Sequence, residues 1–265
     1  MFLHNKKMMY TVRVDRPNPA FAKLLLEQFG GPNGELAAAM RYFTQGWNEP
    51  DQKRRSMLLD IATEELSHLE MVAQALTMLL KGTPSDQVDE VEGGYLGDML
   101  DGKADAYAAM SLHSTETVLG GGGPRLTDSS GNPWTAGYVD TIGNPSADLR
   151  SDIAAEARAK MVYERLIKTS DDPGVKDTLN FLMTREIAHQ KMFEAALDSI
   201  ADNFPPGNLP GDQKMAHAYF QDSYEGNPGE GSGEATGFDL TQQNSQWGFE
   251  LDQDPVTHAP SEIRL

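Results

Sequence analysis

Glu65-Leu66-Ser67-His68 recurs 121 residues later as Glu186-Ile187-Ala188-His189. Residues three apart in a helix share one face, so each Glu and His pair is expected to point in one direction. Apolar residues accompany both pairs at helical spacing. They are Leu58, Ile61, Val72, Leu76 and Leu79 around the first pair, and Leu179, Leu182, Phe193, Leu197 and Ile200 around the second. The sequence therefore predicts two helices of the same design, each with a carboxylate and an imidazole inside its apolar face.

A carboxylate that points into an apolar core needs a positively charged partner. Moving an ionised group from water into apolar surroundings costs several kcal/mol unless the group is paired or binds a metal. A single Glu-x-x-His is most often a surface Glu beside a His at the edge of the core. Two copies within matching apolar faces indicate instead that the two helices share bound cations.

Two further Glu and Tyr pairs follow the same offset. Glu35 corresponds to Glu156 and Tyr42 to Tyr163, and each Tyr follows its Glu by seven residues, or about two helical turns. One Glu from each of two helices and Glu-x-x-His from each of the other two form the ligand set of di-iron and di-manganese sites in four-helix bundles. These ligands suit Fe and Mn without distinguishing them. The sequence therefore predicts an all-α four-helix bundle with a dinuclear centre that handles O₂ or H₂O₂.

The composition argues against several other classes of function. The chain has 22 Lys and Arg against 40 Asp and Glu, a formal net charge of −18, which disfavours binding to nucleic acid or to an anionic membrane. It has no cysteine, which excludes disulfides and thiolate metal sites. The start Met1–Lys7 leads into polar residues, so we expect neither a signal peptide nor a membrane span. A soluble cytoplasmic protein is the expectation.

The chain is expected to divide into an arm, a helical domain and a tail. Residues 1–18 are a short N-terminal arm, and residues 19–204 hold the four-helix bundle, with an irregular crossover at 83–144 that includes a short helical candidate at 103–118. Helices are predicted at 20–29, 34–47, 51–81, 145–170 and 175–201. Residues 205–265 cannot form a core of their own. This tail is either disordered or packs on neighbouring subunits, and its aromatic residues favour packing.

Several phrases of the sequence resemble the manganese catalase family. They are LLEQFGGPNGEL at 25–36, IATEELSHLE at 61–70, AEAR at 155–158 and TREIAH at 184–189. The resemblance implies a ferritin-like fold and the conversion of hydrogen peroxide to water and O₂. It also implies two manganese ions per chain that cycle between Mn(II) and Mn(III), and a homohexamer.

The resemblance assigns five residues as metal ligands. Glu35 and His68 are expected to hold one manganese, Glu156 and His189 the other, and Glu65 is expected to bridge them.

Three more residues receive roles around these ligands. The resemblance places Glu186 just outside the coordination sphere as the catalytic, proton-handling carboxylate, whereas the repeat alone makes it a second bridge. Tyr42 is expected to hydrogen-bond Glu35 and Tyr163 to do the same for Glu156, tuning how each Glu binds its metal. The alternative is that both tyrosines only fill core volume.

The sequence leaves two other functions open. A ferritin-like iron oxidase or storage protein would keep the same fold, and so would a structural coat-type protein. One departure from the family concerns Ala155, which stands where some members have an Arg that shapes access to the metals. Some members also bind calcium; Asp60 is a possible ligand, but calcium is not predicted.

Overall fold

A computed structural model describes residues 7–80, 123–209 and 211 of the chain. The described residues are helical and contain no strand. The helices are α1 (Pro19–Gly30), α2 (Glu35–Asn48), α3 (Gln52–Leu80), α4 (Pro145–Thr169) and α5 (Pro173–Asp198), with one 3-10 turn at Ala136–Tyr138. The predicted all-α class is confirmed. The helical candidate at 103–118 and the tail from 212 onward lie outside the described residues.

Three of the helices begin with the same start signal. The side chains of Asn18, Asn144 and Asp172 accept hydrogen bonds from the third backbone N–H that follows each of them. A proline occupies the first helical position in each case, where its missing N–H costs nothing. Because Asp172 and the proline after it fit this signal, α5 begins two residues before the predicted start at 175.

The helices pack as two pairs, α2 with α3 and α4 with α5, and α1 lies along α3. The apolar face predicted for α3 is buried along its whole length. On α5 the equivalent face is buried from Leu179 to Phe193, whereas Leu197 and Ile200 are partly exposed. The match between the two helices therefore weakens at the end of α5, which stops at Asp198.

The break between α1 and α2 places a carboxylate at the start of a helix. Gly34 lies against the end of α1: a Cβ there would come within 2.7 Å of the Gln28 backbone carbonyl, so only glycine fits this approach. Glu35 follows as the first residue of α2, beside backbone N–H groups that have no partner within the helix. The predicted break between helices 20–29 and 34–47 is confirmed, and it brings Glu35 into the bundle.

The N-terminal arm packs along the beginning of α5. Tyr10 stacks on Phe181, with ring centroids 4.5 Å apart and ring planes 7° from parallel. The backbone N–H groups of Asp15 and Arg16 donate to Asp172 Oδ2 at 2.8 and 3.2 Å. The described part of the arm therefore makes contacts with side chains and not with a strand, which explains why its sequence offered no partner strand.

Residues from Ile200 onward belong to a second compact unit, and the described part of that unit consists mainly of turns and bends. Across the part of the chain that the structure describes, no helix has the length and apolar character that crossing a membrane requires.

Candidate metal centre

The six acidic and imidazole side chains of the repeat converge between the two helix pairs. Each of α2 and α4 supplies one Glu, and each of α3 and α5 supplies a Glu and a His one turn apart. None is more than 2% exposed. They are Glu35, Glu65, His68, Glu156, Glu186 and His189.

Glu65 lies between the two histidines. Its Oε2 is 2.8 Å from His68 Nδ1, and its Oε1 is 2.8 Å from His189 Nδ1. The two rings face each other with centroids 5.6 Å apart. One carboxylate therefore reaches the Nδ1 atoms of both rings, which is the geometry that a bridging ligand needs.

The other three carboxylates surround this core. Glu35 Oε2 and Glu186 Oε1 both lie 3.6 Å from His68 Nδ1, and Glu156 Oε1 lies 3.9 Å from His189 Nδ1. Two groups of ligand atoms result, each with all members within 4.8 Å of one another. The first comprises Glu35, Glu65, His68 and Glu186, and the second comprises Glu65, Glu156, Glu186 and His189.

Several buried atoms of these groups have no hydrogen-bond partner within the described part of the chain. They are Glu35 Oε2, Glu65 Oε1, Glu156 Oε2, Glu186 Oε1 and His189 Nδ1. The last of these atoms is 2.8 Å from Glu65 Oε1 but is not aligned with it as in a hydrogen bond. Buried polar atoms normally have partners, and carboxylate oxygens with imidazole nitrogens suit manganese or iron. The donor set therefore fits bound metal cations.

The electrostatics of the cluster also favour added positive charge. Burial raises the pKa of Glu35 to about 8 and that of Glu156 to about 7, and the charge of Glu65 adds to both shifts. Burial likewise raises the pKa of Glu186 well above its usual range. For Glu65 burial acts in the same direction, but His68 and His189 outweigh it and hold the pKa far below its usual range. The protein's own groups thus favour the ionised form of Glu65, whereas Glu35, Glu156 and Glu186 need additional cations nearby in order to ionise.

The two tyrosines bond crosswise, which corrects the pairing predicted from the sequence. The hydroxyl of Tyr42 donates to Glu156 Oε1 at 2.6 Å, and that of Tyr163 donates to Glu35 Oε1. The predicted partners, each within its own helix, were wrong. Seven residues of helix rise about 10.5 Å, whereas the facing helix brings a carboxylate within hydrogen-bond distance of each hydroxyl.

Sequence reasoning missed Glu64 and Arg185. Glu64 Oε1 lies 3.4 Å from His68 Nε2, and Oε2 lies 3.3 Å from His189 Nε2. Arg185 Nε donates to Glu64 Oε1 at 2.6 Å. Burial opposes ionisation of Glu64, but the two histidines and Arg185 outweigh it and hold the pKa of its carboxyl well below its usual range. A signal was present, because Glu64 and Arg185 are themselves 121 residues apart and carry opposite charges.

Two other residues singled out from the sequence lie in different settings. Ala155 is buried in α4 beside Glu156. Asp60 is exposed, and it belongs to neither group of candidate ligands found in the described ranges.

The fold and the site together define a class of protein. A buried set of four carboxylates and two histidines, contributed by four helices in this order, is the donor set that metalloproteins of the four-helix-bundle type use to bind metal.

Comparisons with known proteins identify the family within this class. The family model described as "Manganese containing catalase" matches residues 1–244. A probable manganese catalase of Clostridium acetobutylicum is 41% identical over 203 residues, covering 76% of this chain and 81% of the relative. A manganese catalase of Bacillus subtilis is 38% identical over 215 residues, covering 79% and 76%.

A solved structure supports the same conclusion. KatB, a manganese catalase from Anabaena, superposes with a TM-score of 0.71 at 41% identity, covering 86% of this chain and 94% of that one. This chain belongs to the manganese catalase family. The predicted family and the predicted ferritin-like bundle are both confirmed.

Proposed function

We propose that this protein is a catalase that converts two molecules of H₂O₂ into two molecules of water and one of O₂ at a pair of manganese ions. The observation that carries the proposal is the convergence of four buried carboxylates and two Nδ1 atoms at one place between the helix pairs. Family membership supports both the substrate and the metal. When bound, two manganese ions supply the two-electron exchange with peroxide by alternating between Mn(II) and Mn(III).

Five side chains would hold the two ions. Glu35 Oε2 lies within 3.6 Å of His68 Nδ1, and Glu156 Oε1 lies within 3.9 Å of His189 Nδ1, which supports one ion for each pair. Glu65 would bridge them, since among the described carboxylates it alone reaches both Nδ1 atoms at 2.8 Å.

Tyr42 and Tyr163 would orient the two non-bridging carboxylates. Each hydroxyl donates to an Oε1 atom, of Glu156 and Glu35 respectively. The Oε2 atoms of the same two carboxylates have no hydrogen-bond partner among the described residues. Because Oε1 is engaged by a hydroxyl, each carboxylate is held with Oε2 free to bind a cation.

Glu186 would handle the protons of the reaction. Both half-reactions of peroxide move protons as well as electrons, so a carboxylate beside the metals has a task as acid and base. Glu186 Oε1 is 3.6 Å from His68 Nδ1 and lacks a hydrogen-bond partner among the described side chains. Burial raises the pKa of Glu186 well above its usual range, which supports a group that holds a proton. Glu186 belongs to both groups of ligand atoms, so it is the family resemblance that favours proton handling over a second bridge.

The direct test combines metal analysis with an oxygen electrode. Protein loaded with manganese is expected to hold two ions per chain and to release one O₂ for every two H₂O₂ consumed. Protein loaded with iron instead serves as the comparison, because consumption of Fe(II) without disproportionation would favour an iron oxidase. Firm binding of two manganese ions with no O₂ release would overturn the proposed activity.

Assembly and location extend the proposal. We expect a homohexamer, as the family resemblance implies, and a cytoplasmic location. Light scattering on the full chain measures the assembly, and a mass other than six chains of 29.0 kDa would contradict it.

A further inference from the structure

The two histidines share a partner on the side away from Glu65. Their Nδ1 atoms face Glu65, and their Nε2 atoms face the carboxylate of Glu64. The two oxygens of Glu64 are divided between the rings, with Oε1 at 3.4 Å from His68 and Oε2 at 3.3 Å from His189. One carboxylate therefore lies within reach of both outward ring nitrogens.

Arg185 fixes the orientation of this carboxylate. Its Nε donates to Glu64 Oε1 at 2.6 Å and its Nη2 to Oε2 at 3.3 Å, so the guanidinium engages both oxygens as a fork. The Glu64 side chain is 20% exposed and that of Arg185 33%, whereas the histidines are fully buried. The pair lies at the outer edge of the site, between the histidines and solvent.

A neutral imidazole has one N–H donor and one bare nitrogen, and the group that accepts from the N–H decides which nitrogen is bare. A metal ligand needs the bare nitrogen at Nδ1 in both rings. An anionic acceptor near Nε2 keeps the proton on Nε2, leaves Nδ1 bare and makes Nδ1 a stronger ligand. The present Nε2 contacts are slightly longer than a usual hydrogen bond and are not aligned as hydrogen bonds.

We propose that Glu64, held by Arg185, is a positioning residue that accepts the Nε2–H of both metal-binding histidines and so prepares two Nδ1 ligands with one carboxylate. This inference rests on the proposed manganese site, since it concerns how His68 and His189 are presented to the metals. It adds a role for two residues that contribute no ligand atom.

The test measures manganese affinity, which is read independently of turnover. Glu64→Gln keeps one acceptor oxygen but presents an NH₂ group where the second acceptor stood, and Glu64→Ala removes both. We expect Glu64→Gln to weaken manganese binding by about 10–100-fold, the range for outer partners of metal-binding histidines, and to alter the electron paramagnetic resonance spectrum of the Mn(II) pair. Glu64→Ala should weaken it further.

Arg185→Lys separates orientation from charge, and it keeps the test decisive if Glu64→Ala does not fold. Lysine retains the positive charge but cannot engage both carboxylate oxygens as the guanidinium does. We therefore expect Arg185→Lys to lose less manganese affinity than Glu64→Gln. The control is Glu164→Gln, which removes another ion-paired carboxylate, bonded to Lys160 and Lys168 on the same helix. Circular dichroism checks folding of each variant.

The outcomes separate this inference from the proposed function. If the Glu64→Gln variant binds manganese as tightly as the wild type and its spectrum is unchanged, the proposed role of Glu64 is overturned. Wild-type protein that binds manganese but releases no O₂ overturns the catalase activity, while the order of affinities, Glu164→Gln above Arg185→Lys above Glu64→Gln, still supports the positioning role.

Discussion

Glu65 and Glu186 occupy equivalent positions in the repeat, yet their contacts with the two histidines differ. Glu65 reaches Nδ1 of both histidines at 2.8 Å, whereas the closest contact of Glu186 to a ring is 3.6 Å, to His68. Equivalent positions in the repeat therefore do not give equivalent contacts, and we propose bridging for Glu65 and proton exchange for Glu186.

Replacing Glu186 by Gln tests this difference. Glu186→Gln keeps the shape but cannot exchange a proton, so we expect manganese content to stay at the wild-type level while O₂ release slows by about 10²–10⁴-fold. The matched comparison is His189→Ala, which removes a ligand and should lower the manganese content. Loss of manganese from Glu186→Gln, measured by elemental analysis, would make Glu186 a ligand instead.

The crosswise tyrosines make a second prediction at this scale. Tyr42→Phe leaves Glu156 Oε1 buried without its donor, and Tyr163→Phe does the same to Glu35. We expect Tyr42→Phe to lower manganese occupancy at the position of Glu156 and His189, and Tyr163→Phe to lower it at the other position. Anomalous scattering from crystals measures each position separately. A loss at the Glu35 position in Tyr42→Phe would contradict the crosswise assignment.

At the scale of the helices, much of the structure could be predicted. Start signals and apolar faces located α3, α4 and α5 to within three residues. The constant offset also found six side chains that do converge. Periodicity could not predict the contacts between residues of different helices, because these contacts depend on how the helices are placed relative to one another. The tyrosine partners were therefore wrong, and the contact between Glu64 and Arg185 went unseen.

Asp172 couples the start of α5 to the N-terminal arm. Oδ1 accepts from Val175 N, capping the helix, and Oδ2 accepts from the backbone of Asp15 and Arg16. Asp172→Ala should therefore cost more than a cap alone, which is worth about 0.5–2 kcal/mol. Asn144→Ala removes a comparable cap from α4 that does not hold the arm. Urea unfolding of the metal-free proteins compares the two, and an equal loss of stability would indicate that the arm contributes nothing.

At the scale of the whole molecule, the buried site links stability to pH. The pKa of Glu35 is raised from 4.5 to about 8, that of Glu156 to about 7, and that of His189 from 6.5 to about 9. A group whose pKa is raised by folding contributes stability below its unfolded pKa and loses it as pH rises through the folded value. Metal-free protein should therefore lose stability between about pH 5 and pH 9.

Manganese should reverse this trend, because the cations bind the deprotonated carboxylates and the bare Nδ1 atoms. The measurement is the melting temperature from pH 5 to pH 9, with a chelator and with excess manganese. The gap between the two curves should widen as pH rises. A melting temperature of the metal-free protein that rises across this range would contradict the assignment of these groups.

The exchange of hydroxyl partners between Tyr42 and Tyr163 makes the two repeats mutually dependent. Each repeat carries a Glu whose Oε1 accepts a hydrogen bond from a tyrosine of the other repeat. A protein half this length, with a single copy of the pattern, would have to form a dimer with a second copy of itself to supply the tyrosine hydroxyl that each Glu accepts from. The internal symmetry therefore has the form of a homodimer joined into one polypeptide.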